Sequence, residues 1–306
     1  MKIAIMGTGG LGGYIGGCLA HSGQDVTFIA RGESLQVIGE KGLQVHSPRG
    51  DFLVNPVQAT DNPDDVGPVD LVLFSVKSYD AENALESMRP MVGPKTTVLP
   101  VLNGIEHIAK MQAGLDAQQV LGGMAMINAH KGVPGVIHHV ADIGQYQLEF
   151  GEWGGGISPR CEQIQKVLTK AGLGAVAVPN ISERMWWKLA GFSGMAIFAV
   201  MRGDKATVWT AETRALIHKA ISEAVAVAKA QGIPLTDTLP DDVLKLAENL
   251  PPDYKPSLLV DLEQGSRLEM EAITGALSRL GKEADVPTPV NDFIYACLKP
   301  YVNGVP

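Results

Sequence analysis

Residues 2–31 read KIAIMGTGGLGGYIGGCLAHSGQDVTFIAR, and they decide the fold of the first half of the chain. The apolar run Lys2–Met6 predicts a buried strand. Leu11–His21 predicts a helix, Ser22-Gly23 stops it, and Asp25–Ala30 predicts a second strand. Gly7, Gly9 and Gly12 set the pattern G-x-G-x-x-G at the first turn of this βαβ unit. The first glycine allows the tight turn, the second lets the backbone approach a pyrophosphate, and the third packs helix against strand. The helix N-terminus then offers free N–H groups and a positive dipole end to phosphate. Gly7, Thr8, Gly9, Gly10, Leu11 and Gly12 are therefore the candidate dinucleotide-binding loop. The alternative is a glycine-rich turn that holds no cofactor.

The end of the second strand bears on which dinucleotide. An acid there would hold the ribose 2′-hydroxyl of NAD, whereas an arginine accommodates the 2′-phosphate of NADP. The chain has Ala30-Arg31 and no acid before Glu33. Arg31 is read as the phosphate ligand and NADP(H) as the cofactor, against the alternative of a solvated surface arginine.

Two further apolar runs, DLVLFSVKS (70–78) and TTVLPVLNG (96–104), read as parallel strands covered on both faces, with a helix over Asp80–Met88 between them. Ligands of open α/β sheets sit beyond the carboxyl ends of strands. Lys77 and Asn103 lie at those ends, so both are candidate site residues; a loop lysine and an Asn-Gly turn are the alternatives. Residues 119–150 read as short strands with glycine turns, an antiparallel extension of the sheet. A helix capped by Ser158, with Pro159 at its first position, and a last strand over 173–179 complete this half.

After Pro179 the periodicity is helical throughout, which places a domain boundary near 180: an α/β domain over 1–179 and an all-α domain over 180–306. Such an order puts an active site in the cleft between them. In the helical half, WWKLAGFSGMAIF (186–198) carries one charge, Lys188, in an apolar wall. A lysine there is costly unless compensated. Positions 184, 185, 188, 191, 192 and 195 share a helical face, and Gly191 and Gly194 leave a gap through which a ligand could reach the ammonium. The alternative is a lysine that snorkels to solvent.

Bulk properties exclude several classes. With 45% apolar and 19% charged residues the chain is globular rather than disordered. A net charge of -8 without a basic cluster argues against nucleic acid as a partner. No apolar run is long enough to span a bilayer, and Met1-Lys2 leads straight into a strand, so neither membrane nor secretion signal is expected. Cys18, Cys161 and Cys297 are scattered and odd in number, which suggests reduced thiols in a cytoplasm. His138-His139 lacks a partner cluster, so no metal is expected.

These motifs together resemble the ketopantoate reductases (2-dehydropantoate 2-reductases) of the 6-phosphogluconate-dehydrogenase-like group, over the whole length. The resemblance rests on GTGGLGG, SVKSYD around Lys77, VLNGIE around Asn103, NISERMWWKL around Lys188, and PSLLVDLEQGSRLEMEAITG from Pro256 to Gly275. It implies a Rossmann domain followed by a helical substrate domain, and NADPH-dependent reduction of ketopantoate to (R)-pantoate. Lys188 would be the proton donor, Ser257 the ligand of the substrate carboxylate, and Glu269 the residue that orients substrate and cofactor. Lys77 and Asn103 would lie at the nicotinamide end. Burial lowers a lysine pKa and a nearby carboxylate raises it, so Glu269 would help to keep Lys188 charged.

One departure stands out. The family usually has asparagines four and eight residues after the catalytic lysine, and here those positions are Phe192 and Ala196. A polar substrate wall has become apolar, which suits a 2-oxo acid with an apolar or aromatic tail. Two other readings stay open: a D-2-hydroxyacid dehydrogenase, and a silent protein that senses NADPH. The long C-terminal helices offer a surface for a homodimer, and the sequence leaves the oligomeric state open.

Overall fold

The computed structural model describes residues 1–143 and 145–304. The chain divides into two compact units, one of Met1–Leu102 with His107–Ile181, the other of Asn103–Glu106 with Ser182–Pro306.

In the first unit a parallel sheet is built from β1 (Lys2–Met6), β2 (Asp25–Ile29), β5 (Gln58–Thr60), β6 (Leu71–Phe74) and β7 (Thr97–Pro100), in the order β5-β2-β1-β6-β7. Every residue of β6 and β7 is buried, as near-continuous apolar runs covered on both faces require. The expected antiparallel extension is instead two small mixed sheets. One holds β3 (Leu43–His46), β4 (Phe52–Val54), β9 (Ile127–Lys131) and β10 (Val136–Asp142), ordered β4-β3-β10-β9. The other orders β12-β11-β8, from β8 (Leu121–Ala125), β11 (Leu148–Glu152) and β12 (Ala175–Ala177). The difference arises because β3 and β4, which have no turn signature tying them to residues 119–150, supply half of the first small sheet. β10 pairs in parallel with β3 on one side and antiparallel with β9 on the other.

Helix α1 (Gly10–His21) runs between two of these sheets, and its glycines explain how. A Cβ on Gly13 would lie 2.6 Å from Ile137 Cδ1 of β10, and one on Gly16 would lie 2.6 Å from Phe28 Cε1 of β2. Glycine inside a helix costs about 1 kcal/mol relative to alanine. Here that loss is offset by backbone packing against both sheets at a distance no side chain would permit. Helices α2 (Gly32–Lys41), α3 (Ala81–Ser87), α4 (Glu106–Gly114) and α5 (Pro159–Lys170) follow. Ser158 caps α5 by accepting from the Cys161 N–H, and Pro159 occupies its first position.

The second unit is helical: α6 (Ile181–Met195), α7 (Ile197–Met201), α8 (Lys205–Val208), α9 (Ala211–Ala230), α10 (Leu239–Glu248), α11 (Ser257–Glu263), α12 (Thr274–Glu283) and α13 (Pro289–Leu298). The 20-residue α9 is its axis, started by a reciprocal Thr210–Thr213 capping box and packed on by α7, α10, α12 and α13. Glu223 of α9 accepts from the Val290 and Asn291 N–H groups at 2.9 and 3.0 Å, so it caps α13 from the side. No helix among the described residues is long and apolar enough to cross a membrane.

Candidate functional site

The first unit contains a cleft at the carboxyl end of β1 and β2. Met6, Gly7, Thr8, Ile29, Ala30, Arg31, Ser34, Val76, Asp80 and Lys131 are among its lining residues. Gly7 has φ +101°, a conformation that L side chains rarely adopt, and a Cβ there would lie 2.9 Å from the Val76 nitrogen. Gly9 is different: a Cβ there would meet nothing within 4 Å. Its small size serves no contact within the protein, and the open space in front of it suits a ligand. Gly9 caps α1 with no side-chain bond, which leaves first-turn N–H groups for an anion. Gly12 fits against the turn itself, where a Cβ would be 2.2 Å from the Gly7 oxygen. Thr8 fastens the loop to β2, donating from Oγ1 to the Ile29 carbonyl at 2.9 Å. Gly10 lies against β9, its absent Cβ 2.4 Å from the Ala129 oxygen, and Leu11 packs on the core. This set fits a dinucleotide.

Arg31 caps α2, is exposed, and lines the cleft. Glu33 does not line it. Two lining residues carry no signal in the sequence. Ser34 is buried in the first turn of α2, and Lys131 comes from the end of β9, on another sheet. Lys77 lies three residues beyond β6, exposed, at the cap of the turn Ser78–Asp80, and is not among the lining residues.

The second unit gathers Lys188, Glu269 and Asn103. Lys188 is in α6 and only 7% exposed, as is Glu269 at the start of the 3₁₀ turn Glu269–Ala272. Asn103 Nδ2 donates to Glu269 Oε2 at 3.3 Å. The next residue, Gly104, has φ +86°, and a Cβ there would lie 2.5 Å from the Ala272 oxygen, so the Asn-Gly turn seats directly on the glutamate's own turn. Burial pushes the Lys188 ammonium down to about 8, and the charge of Glu269 opposes that shift. Desolvation wins, so Glu269 restores only part of what burial removes. The amine is left near neutrality, where a group can both hold and release a proton.

Phe192, one turn beyond Lys188, lays its ring 5.0 Å from the ammonium. Ala196 is buried at the break between α6 and α7. Ser257 is the first residue of α11 and exposed, and no hydrogen bond among the described residues joins it to Lys188, Glu269 or Asn103. The expected gap at Gly191 and Gly194 is a helix contact instead. A Cβ on Gly194 would be 2.7 Å from Ile221 of α9, and one on Gly191 would rest 3.6 Å from Val243 of α10. No group of three or more metal-ligating side chains occurs among the described residues.

Residues 3–155 match the family described as ketopantoate reductase PanE/ApbA, and residues 180–302 match its C-terminal family. A 2-dehydropantoate 2-reductase of Archaeoglobus fulgidus is 30% identical, covering 99% of this chain and 99% of its own. The crystal structure of 2-dehydropantoate 2-reductase from Geobacter metallireducens GS-15 superposes with a TM-score of 0.90 at 29% identity, over 98% of this chain and 99% of that one. A D-mandelate dehydrogenase in ternary complex with NADH and anilino(oxo)acetate superposes with a TM-score of 0.89 at 25% identity, over 99% and 98%. With both halves matched along nearly their full length, the chain belongs to the ketopantoate reductase PanE/ApbA family, a family of oxidoreductases.

Proposed function

We propose that the protein reduces a 2-oxo acid to a 2-hydroxy acid with NADPH, the first substrate to test being ketopantoate, giving (R)-pantoate. The observation that carries this reading is Lys188, a buried lysine set to about 8 beside Glu269. When bound, the nicotinamide would supply the hydride. The chain's own part is electrostatic and protonic. Lys188 stabilises negative charge as it develops on the substrate's carbonyl oxygen and delivers a proton to it from Nζ. Glu269 holds the ammonium charged long enough to act and orients the substrate, and Asn103 holds Glu269. Ser257 receives the substrate carboxylate. Gly7 to Gly12 and Arg31 bind the cofactor, with Lys77 near its nicotinamide end.

A second reading concerns the tail of the acid. Phe192 and Ala196 offer no hydrogen bond where the family usually has asparagines, and a site without such partners does not select a hydroxyl. The likeness in fold to a D-mandelate dehydrogenase, with a TM-score of 0.89 at 25% identity, supports an aromatic-tailed 2-oxo acid or the reverse oxidation of its D-2-hydroxy acid. NADPH oxidation followed at 340 nm with ketopantoate, phenylpyruvate and phenylglyoxylate separates the two. Turnover of ketopantoate with the higher kcat/KM supports the first reading, and preference for the aryl acids supports the second. If none is turned over while NADPH is bound, both fail in favour of an NADPH sensor.

A further inference from the structure

The cleft at the end of β2 receives a cation from a different sheet. Lys131, the last residue of β9, donates from Nζ to Ser34 Oγ at 2.5 Å, across 97 positions of sequence. Arg31, Ser34 and Lys131 line the same cleft as Gly7 and Thr8. Two cationic side chains therefore face it, against one carboxylate, Asp80. Among the described residues the Lys131 ammonium has this one hydrogen bond, although it carries three donors. A neutral serine hydroxyl does not call for a lysine. A dianion placed beside Arg31 would accept from both cations and from the hydroxyl.

We propose that Lys131, with Arg31 and Ser34, is a ligand of the cofactor's 2′-phosphate and sets the choice of NADPH over NADH. The inference rests on the reading of this unit as NADP(H)-binding and adds to it the residue that enforces selectivity. Family membership does not settle that choice, because one structural relative is described with NADH. A phosphate-free cofactor offers these two cations no anion to meet.

The test is binding to the whole protein without substrate. Dissociation constants for NADPH and NADH are read from nicotinamide fluorescence in the wild type, Lys131→Met, Lys131→Arg and Arg31→Ala. Lys131→Met is expected to weaken NADPH roughly 10- to 100-fold, the range of a charge-assisted hydrogen bond, and to leave NADH within about twofold. Lys131→Arg should retain most of the selectivity. If Arg31→Ala loses NADPH selectively and Lys131→Met does not, the inference is wrong and the NADP(H) reading stands. If the wild type binds NADH as tightly as NADPH and Arg31→Ala changes neither, the NADP(H) reading itself fails.

Discussion

Asn103 and Glu269 lie 166 positions apart in sequence and are joined by an Nδ2–H···Oε2 hydrogen bond of 3.3 Å. The bond ties a buried carboxylate to a turn whose glycine is pressed against the backbone of Ala272. A carboxylate fixed in this way is held where it opposes the effect of burial on Lys188. Replacing Asn103 with alanine should lower kcat by roughly tenfold, the cost of removing one donor from a buried charged acceptor. The check is kcat at saturating NADPH and substrate, and an unchanged kcat would contradict the assignment.

The pH dependence follows from Lys188. Its pKa is lowered to about 8, so the ammonium needed to donate a proton is lost as pH rises through that value. The kcat/KM for reduction should fall above about pH 8, and oxidation of the 2-hydroxy acid, which needs the neutral amine as base, should rise through the same value. Glu269→Gln removes the charge that raises this pKa, so the limb should move to lower pH. A limb that stays in place would mean that Glu269 does not act on Lys188.

Specificity should be reversible at Phe192. Phe192→Asn, and more so with Ala196→Asn, restores hydrogen-bonding capacity on the face of Lys188. The ratio of kcat/KM for ketopantoate over phenylpyruvate should rise about 10- to 100-fold. An unchanged ratio would place the substrate's tail elsewhere.

Glycines separate structural from ligand roles. Gly194→Ala puts a Cβ 2.7 Å from Ile221 Cγ1 and 3.0 Å from the Ile217 oxygen, and should destabilise the protein by about 1–3 kcal/mol. Gly191→Ala, with its nearest contact at 3.6 Å, should leave the melting temperature nearly unchanged. Gly9→Ala, which meets nothing within 4 Å, should melt like the wild type and yet bind NADPH weakly. Thermal melts with and without NADPH check all three.

The parts of this molecule legible in the sequence are local. The strand–turn–helix of residues 2–21 declares itself because its glycines, caps and apolar runs are neighbours in sequence. Lys188 is conspicuous because one charge in an apolar run has an energetic meaning at any position. What escapes is made by distant partners. β3 is short and pairs with β10, nearly a hundred residues on, while β4 pairs with β3, so nothing local ties the two strands to residues 119–150. Lys131 looks like any exposed lysine until β9 brings it to Ser34. Gly191 and Gly194 invite a ligand gap in one dimension, and only the positions of α9 and α10 turn them into packing contacts.

The central claim is that Lys188 supplies the proton, and single-turnover NADPH oxidation by Lys188→Met tests it most directly. The rate with a saturating 2-oxo acid should fall by about 10²- to 10⁴-fold, the usual contribution of a positioned general acid, while NADPH affinity stays within about twofold. A variant that reduces the acid within about tenfold of the wild-type rate would show that the buried lysine serves the fold and not the reaction.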